Sequence, residues 1–455
     1  MVRFRLFPSI FTFLLLFLIN TADAQLVSGP MLGHTELRTA KIWVELVPGS
    51  TATIVVKSTK DGKEVFKTSE TTGKSSWYAP VTFDVVGLDM NTSYDYEVLV
   101  TGVGEKKPVV AGKGTFTTSE LWQWRKPAPD FSFLAGSCAY FNEPQYDRPG
   151  KPYGGDSSIF ETMAKEKAGF MLWLGDNWYL REPDYFSKWG IWYRAHRDRS
   201  MPILKDFLKA MPQYAIWDDH DYGSNDADKS FSLKEESRKV FTNYWANAAY
   251  GFNGEGIYSR MSQNDCDFFL MDDRTYRSSD DMTPTVYGKP NPNKRMWGPT
   301  QMEWLKNALL NSKAPFKFIV TGSQTLNPAS PFDCLQDYPV EFEELMAFLD
   351  AENISGVVFL TGDRHHSEVI KYARKDKYPL FDITSSPLTS GIGRVFGTEK
   401  DNPARIANTL VEAQNYTRIT ISGKTGERIM KVEFVSIKGE VMGTWSISEK
   451  ELKNK

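Results

Sequence analysis

Four short apolar runs in this chain are each followed at once by residues that could bind a metal ion or a substrate. The polar segments are SCAY (137–140), GDNWY (175–179), DDHDYGSND (218–226) and TGDRHH (361–366). One such segment alone would indicate a turn, because Asp and Asn favour turns. In open α/β sheets, however, ligands bind at the carboxyl ends of the strands. Four segments of this kind therefore predict a functional site.

The side chains of these segments include many carboxylates, which could not share a partly buried pocket as anions without a compensating cation. Oxygen ligands favour Ca²⁺, Mg²⁺ or Mn²⁺, whereas thiolate, phenolate and imidazole favour a transition metal. The mixed set therefore indicates two unlike ions. The candidate residues are Cys138, Asp176, Asn177, Tyr179, Asp218, Asp219, His220, Asp221, Asn225, Asp363, Arg364, His365 and His366.

The elements that must position these residues alternate between apolar runs and helical patterns. The runs FSFLAG, FMLWL, QYAIW and GVVFL are typical of buried strands. The helical patterns lie at 157–168, 235–250, 299–312 and 340–352. This alternation predicts an α/β domain over residues 131–455, with helices packed on a sheet.

The region before this domain has a different pattern of apolar and polar residues. Residues 25–118 contain short alternating segments such as AKIWVEL and SYDYEVLV, which are separated by Gly, Asn and Asp turns. This spacing predicts a small all-β sandwich of the immunoglobulin or fibronectin type. Residues 119–130 contain two prolines and are predicted to be a linker.

The first 24 residues have the composition of a secretory signal peptide. Arg3 and Arg5 precede an apolar segment that runs from Leu6 to Ile19, and Ala22-Asp23-Ala24 follows it. The apolar segment is shorter than the stretch of about 20 residues that a membrane span needs. We therefore expect a secreted or periplasmic protein, with no transmembrane segment after the signal peptide is removed.

Composition narrows the class of function. A formal net charge of −3 argues against binding along a nucleic-acid backbone, which needs a basic face, so no stable nucleic-acid complex is expected. Three cysteines cannot form a disulfide framework. A bond to metal would explain how the Cys138 thiol survives export unpaired. Cys266 is predicted to lie in the core, and the sequence leaves the redox state of Cys266 and Cys334 open.

The motifs GSC, GDNWY, WDDHDY and GDRHH, in that order behind a small β domain, resemble those of the PhoD-type alkaline phosphatases of the metallophosphoesterase superfamily. The segments GPMLGHTELRTAKIWVEL (29–46) and MDDRTYRS (271–278) resemble further blocks of that family. The resemblance covers most of the chain after residue 24. It implies a four-layer αββα catalytic domain that holds two metal ions.

The resemblance also implies a role for each ligand. Asp176 would bridge the two ions, while Cys138 and Tyr179 would bind an iron-type ion. Asp219 would bind a calcium-type ion, and Asn225 is a further candidate there. The last two ligands, one for each metal, would be Asp363 and His365. The choice of His365 rather than His366 rests on spacing alone.

The implied reaction is hydrolysis of a phosphate ester by a hydroxide that two metals, Fe³⁺ and Ca²⁺, activate. His220 would protonate the leaving group or orient the phosphate, and Arg364 would clamp phosphate oxygens. A phosphodiesterase with phosphomonoesterase activity fits best. The substrate stays open among envelope polymers, phospholipids, nucleotides and glycerophosphodiesters.

Two other functions compete with this one. The chain could be a surface binding or adhesion protein on an inactive phosphatase scaffold, although every expected ligand type is present. It could also be a conventional metallophosphoesterase with Zn²⁺ or Mn²⁺, although Cys138 and Tyr179 suit ferric iron better.

Several neighbouring residues have ordinary structural interpretations. We interpret Asp218, Asp221 and Asp226 as local caps or as partners of the ligands. His34 and His196 lie outside the four segments and are predicted to be structural or surface residues. Whether Arg274 and Arg277 face the substrate or form solvated pairs is left open.

Overall fold

The computed structural model describes residues 26–454. The signal peptide predicted at residues 1–24 lies outside this part of the chain. None of the helices in the described part combines the length and the apolar character that crossing a membrane would require.

The described residues form twenty-one strands and seven α-helices. The strands are β1 (Leu26–Thr35), β2 (Thr39–Leu46), β3 (Thr51–Ser58), β4 (Glu64–Thr71), β5 (Ala79–Val86), β6 (Ser93–Thr101), β7 (Val109–Thr117), β8 (Phe131–Gly136), β9 (Met171–Leu174), β10 (Gln213–Ile216), β11 (Ser259–Gln263), β12 (Cys266–Leu270), β13 (Thr285–Val286), β14 (Lys289–Pro290), β15 (Phe316–Val320), β16 (Val357–Thr361), β17 (Glu368–Tyr372), β18 (Leu380–Thr384), β19 (Asn415–Ser422), β20 (Ile429–Ser436) and β21 (Val441–Ser448). The helices are α1 (Ile159–Met163), α2 (Lys188–Arg199), α3 (Lys205–Ala210), α4 (Asp219–Tyr222), α5 (Lys234–Tyr244), α6 (Gly298–Asn311) and α7 (Pro339–Ala351).

The first seven strands form two antiparallel sheets, in the orders β1-β2-β5 and β4-β3-β6-β7. On β6 the apolar residues alternate with more exposed ones, so Tyr94, Tyr96, Val98 and Val100 are buried in a core of their own. The all-β character predicted for this region is therefore observed. No strand or α-helix lies at 119–130, although the domain boundaries and the immunoglobulin or fibronectin type stay predictions.

Two six-stranded sheets form the centre of the molecule. Their orders are β10-β9-β8-β19-β20-β21 and β11-β12-β15-β16-β18-β17. They contact each other through aromatic rings: the Phe133 ring on β8 lies 5.1 Å from that of Phe268 on β12 and 5.5 Å from that of Phe318 on β15. Helical residues such as Phe241 and Leu305 are buried in the same core. The mixed α/β architecture predicted from the sequence is thus observed.

Each central sheet contains a group of parallel strands whose residues are almost all buried. β8, β9 and β10 run parallel in one sheet, and β12, β15, β16 and β18 run parallel in the other. The sequences MLWL on β9 and VVFLT on β16 are buried along their whole length, which is typical of parallel strands covered on both faces. Because strands of one parallel group end at the same edge, the segments that follow them converge.

The N-terminal sheet packs directly on the central domain. The side chains of Met31 and Trp43 are fully buried in the central core. The Trp43 indole nitrogen donates to the carbonyl of Asn243 at 2.7 Å, and the His34 amide donates to the carbonyl of Ala246 at 2.8 Å. His34 Nδ1 also lies 3.1 Å from the Tyr214 hydroxyl. The predicted structural role of His34 is therefore confirmed.

The contact at Gly33 yields a prediction about stability. A Cβ atom at Gly33 would lie 2.3 Å from Ala246 Cβ and 2.7 Å from its carbonyl oxygen, so Gly33→Ala must displace one of the two segments. Overpacking of this kind costs about 1–3 kcal/mol, and we expect that loss in the free energy of unfolding measured with urea.

The matched control is Gly73→Ala, because an added Cβ there would approach only the Ser76 Oγ, at 3.1 Å. Its unfolding free energy should stay within about 0.5 kcal/mol of the parent. Equal losses in the two variants would show that β1 does not pack tightly on the central domain.

Candidate metal centre

Four candidate ligands share an unusual backbone conformation. Cys138, Asp176, Asp363 and His365 have φ values of 62°, 52°, 66° and 56°. Residues other than glycine seldom adopt this left-handed region, and such strain concentrates at functional sites. Each residue follows a parallel strand closely, so the backbone turns sharply where the strand ends and directs the side chain towards the shared edge.

Two glycines let the segments approach one another. Gly175 has φ of 93°, and a Cβ there would lie 2.6 Å from Asp218 Cβ. A Cβ at Gly362 would lie 2.7 Å from both the Leu174 carbonyl oxygen and Ser137 Cβ. Any larger residue would push the segment after β16 away from the segments after β8 and β9. The GD pairs of the sequence thus combine a close approach with a ligand.

The side chains converge in two groups that have Asp176 in common. Donor atoms of Cys138, Asp176 and His365 lie within 4.8 Å of one another, and so do those of Asp176, Asp219 and His220. Cys138 Sγ is 3.6 Å from Asp176 Oδ2. A shared carboxylate between two donor groups is the arrangement that a bridged pair of ions requires.

Tyr179 lies between the two groups. Its hydroxyl is 3.3 Å from His365 Nε2, and its ring centroid is 4.2 Å from that of His220. With Cys138 and Tyr140 it forms a small buried cluster beside the site. The structure therefore places this predicted ligand within reach of the donor group that contains the thiol.

Asp363 and Asn225 lie at the margin of the groups. Both line a cavity of about 290 Å³ together with Asp176, Asp219 and His365. The Asp363 carbonyl oxygen lies 3.6 Å from Cys138 Sγ, whereas the exposed Asn225 amide donates to Asp226 Oδ2 at 2.6 Å. Neither residue joins the two compact donor groups.

His366 is turned away from the site. Its side chain is buried, and Nε2 lies 3.5 Å from Glu368 Oε1. Donor atoms of His366, Glu368 and Glu399 form a separate group. The structure thus places His365, and not its neighbour, beside Cys138 and Asp176.

Arg364 makes several contacts outside the cavity. Its Nη1 donates to Gln324 Oε1 at 3.0 Å and to Ser330 Oγ at 2.7 Å. Its Nη2 donates to Glu399 Oε2 at 3.1 Å, and the two residues form a buried ion pair. The Nε atom lies 4.0 Å from Asp363 Oδ2 and faces the candidate ligands. Only this edge of the guanidinium is available towards the cavity.

The electrostatics of the site favour a bound cation. Burial, followed by the neighbouring Asp219 and Cys138, raises the pKa of Asp176 well above its usual range. Burial and the nearby Asp333 raise the pKa of Asp363 to about 7. Burial also raises the pKa of the Cys138 thiol to about 11. Simultaneous ionisation of these groups is therefore unfavourable, and a cation between them would make it favourable.

The donor set fits metal ions of two kinds. Thiol, phenol and imidazole lie on one side of Asp176, and the Asp219 carboxylate and the His220 imidazole lie on the other. His220 Nδ1 is buried, and it has no hydrogen-bond partner among the described residues. A buried imidazole nitrogen without a partner is uncommon unless it binds an ion or a substrate.

Two buried arginines hold the acids behind the site. Arg274 Nε donates to Asp218 Oδ1 at 2.6 Å, and Arg274 Nη2 lies 3.5 Å from Asp333 Oδ2. Arg277 forms a close ion pair with Asp333 and bonds Asp280 Oδ1 at 2.8 Å. Both side chains are almost fully buried, so they form ion pairs with acids behind the ligands and are not solvated pairs.

The local acids agree in part with the sequence interpretation. Asp218 and Asp221 form a capping box at the start of α4, as interpreted from the sequence. Asp333, by contrast, was missed, because a single acid in the loop SPFDC carries no pattern. All three cysteines are buried and free, which confirms the predicted core position of Cys266.

Comparisons with known proteins agree with this architecture. The model of the family described as PhoD-like phosphatase matches residues 133–433, which contain all four polar segments. The model of a second family, a domain of unknown function (DUF7800), matches residues 23–109. Alkaline phosphatase D of Bacillus subtilis (strain 168) is 28% identical over 341 residues, which are 65% of this chain and 54% of that protein. The match thus spans about half the length of this curated relative.

Two solved structures share the fold. A structure of PhoD has a TM-score of 0.76 and 20% identity, and the match covers 95% of this chain and 92% of that one. Purple acid phosphatase PPD1 from yellow lupin (Lupinus luteus) seeds has a TM-score of 0.64 and 12% identity, with coverage of 92% and 74%. The chain therefore shares its overall fold with these two structures.

The pair of Arg274 and Asp218 can be tested by mutation. Arg274→Met leaves a buried carboxylate beside further acids, and we expect the free energy of unfolding of the metal-free protein to fall by about 3–5 kcal/mol. Urea unfolding followed by tryptophan fluorescence measures this change. The double variant Arg274→Met/Asp218→Asn removes both charges and should recover part of the loss.

The exposed Arg125 is the matched control, because its guanidinium donates only to the nearby Gln123 carbonyl and forms no ion pair with the described residues. Arg125→Met should change stability by less than about 0.5 kcal/mol. If the double variant were no more stable than Arg274→Met, uncompensated charge would not be the cause of the loss.

Proposed function

Because the chain belongs to the PhoD-like phosphatase family, we propose that it is an exported, metal-dependent hydrolase of phosphoric esters, and that it acts on phosphodiesters and also on monoesters. The observation that carries this proposal is the pair of donor groups that share Asp176. Such a pair suits phosphoryl transfer, in which the attacking and the leaving oxygen both need stabilisation.

The residues of this chain divide between two ions of different character. Cys138, Tyr179 and His365 would hold a ferric ion, since thiolate, phenolate and imidazole together favour a transition metal over Ca²⁺. Asp219 and Asp363 would hold Ca²⁺, with Asn225 as a further ligand after a small movement of its loop. Asp176 would bridge the two, as its place in both donor groups supports.

Bound at these positions, the ions would polarise the phosphoryl oxygens and supply hydroxide at neutral pH. His220 lies beside Asp176 and Tyr179, where its imidazole can pass a proton to the leaving oxygen. Arg364 would meet phosphate oxygens through Nε, the nitrogen that is not tied to Glu399, Gln324 or Ser330.

Finer features of the fold belong to the same proposal. Two central sheets that contact through Phe133, with helices in the same core, support the four-layer αββα arrangement. Two small antiparallel sheets with a core of their own support a sandwich in the N-terminal region.

Metal content provides the most direct test. Residues 25–455, purified without chelator and analysed for elements, should contain iron and calcium. We expect Cys138→Ser to lose iron, because a hydroxyl is a poor substitute for a thiolate ligand. Asp176→Ala should lose both ions, because the Asp176 carboxylate would bind iron and calcium alike.

The buried core thiol Cys266 offers the matched control. Its serine variant should keep both metals, since Cys266 lies on β12 outside the donor groups. Zinc or manganese retained in Cys138→Ser would favour a conventional metallophosphoesterase instead. A protein that binds no stoichiometric metal, even after reconstitution, would exclude the mechanism.

The role of His220 can be separated from that of a ligand. If the imidazole protonates the leaving group, His220→Asn should keep its metals and lose activity about 10²–10⁴-fold on alkyl diesters. The loss should be much smaller with p-nitrophenyl esters, whose leaving group needs no proton. Initial rates on both substrates, together with metal content, measure this. If the variant lost its metal and lost activity equally on both substrates, His220 would be a metal ligand.

A further inference from the structure

A second cavity opens beside the candidate metal centre. It has a volume of about 330 Å³ and shares Tyr153, His220 and Asn225 with the cavity that several candidate ligands line. The two cavities therefore adjoin each other at these three side chains. A phosphate ester whose phosphorus lies near Asp176 would extend one of its groups into this second space.

The second cavity has aromatic walls. Tyr140, Tyr146, Tyr153 and Tyr185 line it. Tyr146 and Tyr153 keep 42% and 44% of their surface exposed, which is high for rings in a cavity. Within residues 26–454 the Tyr146 side chain makes no hydrogen bond or ring contact, so its face is free to stack on a ligand.

Basic side chains stand at the rim of the same cavity. Arg148 and Lys151 both line it and are both exposed. The nearest acid to Arg148 is Glu182, at 3.6 Å, and these side chains are 88% and 59% exposed. An exposed pair of this kind is weak and can give way to an anionic ligand.

A buried network fixes the segment that carries these residues. Asp147 accepts hydrogen bonds from the Tyr140 hydroxyl at 2.7 Å and from the Glu143 amide at 2.7 Å. It also pairs with Arg181 at 2.9 Å, and the Arg181 guanidinium lies 4.3 Å from the centre of the Tyr140 ring. Tyr146 and Arg148 flank Asp147, so their backbone is held in place before any ligand arrives.

We propose that this tyrosine cavity binds the leaving group of the substrate, and that the preferred leaving group is a planar ring joined to a further anionic group, as in a nucleotide. The inference rests on the proposed hydrolysis of phosphate esters and names its substrate class. Tyr146 and Tyr153 stack on the ring, and Arg148 with Lys151 binds the second anion.

The position of His220 identifies the leaving-group side. Its imidazole lines both cavities, so a proton from it reaches an oxygen located between them. The ester group beyond that oxygen then lies among the tyrosines. Stacking on an aromatic side chain is favourable for any base, because every base has a π face.

The test measures binding separately from turnover. Calorimetric titration of the metal-loaded His220→Asn variant, which should keep its metals and turn over alkyl esters only slowly, compares glycerol 3-phosphate, adenosine 5′-monophosphate and adenosine 3′,5′-bisphosphate. We expect the monophosphate to bind about tenfold more tightly than glycerol 3-phosphate because its base stacks. The bisphosphate should bind about threefold to fivefold more tightly than the monophosphate, because Arg148 binds its second phosphate.

Four variants locate the effect. Tyr146→Ala and Tyr146→Leu should abolish the advantage of the ring, and Arg148→Ala should abolish the advantage of the second phosphate. All three should bind glycerol 3-phosphate nearly as tightly as the parent does, because this ligand has neither a ring nor a second anionic group. Tyr287→Ala is the matched control, because Tyr287 is 101% exposed and does not line the cavity.

Each outcome decides the proposal. If glycerol 3-phosphate binds as tightly as the adenosine ligands, or if the advantage of the ring survives both Tyr146 variants, the tyrosine cavity is not the subsite. If the pattern of affinities is found but no phosphate ester is hydrolysed, the subsite stands and the proposed hydrolysis fails. If phosphate esters are hydrolysed but the affinities show no such pattern, the hydrolysis stands and the subsite fails.

Discussion

The structure depends on one constraint: several acids must lie together where two sheets meet, with little water to separate their charges. Asp176, Asp219 and Asp363 surround one cavity, and burial raises the pKa of both Asp176 and Asp363. Asp219 behaves differently: burial alone would raise its pKa, but His220 and Arg274 lower it below its usual range. An arrangement of this kind is tolerable only with positive charge at its centre and around it.

The chain supplies the surrounding positive charge in fixed positions. Arg274 pairs with Asp218 behind one side of the site, and Arg364 pairs with Glu399 behind the other. Since each guanidinium bonds several acceptors, it orients the segment that carries the ligands as well as balancing its charge. The left-handed residues and the closely packed glycines complete this frame, so the donors are arranged before any ion binds.

Much of the site was predictable because parallel strands end at a common edge. The segments after β8, β9, β10 and β16 each bring candidate ligands to that edge, and the continuous apolar runs before them identified the strands. The direction of the Arg364 guanidinium was not predictable, because it depends on Glu399, thirty-five residues away. The tyrosine cavity and Asp333 were also missed, since they arise from loops whose contacts leave no periodic signal. The packing of Trp43 on the central core depends equally on a distant partner.

That packing has a consequence for the order in which the chain can fold. Trp43 is separated by 200 residues from its hydrogen-bond partner, Asn243, and Ser28 by 171 residues from Arg199. As the chain is synthesised, β1 and β2 emerge long before the surface that covers Met31 and Trp43 exists. The early strands can pair with β5, but their outer face stays exposed until β10 and α5 have formed. Contacts of such long range slow folding, and the exposed face needs protection during that interval.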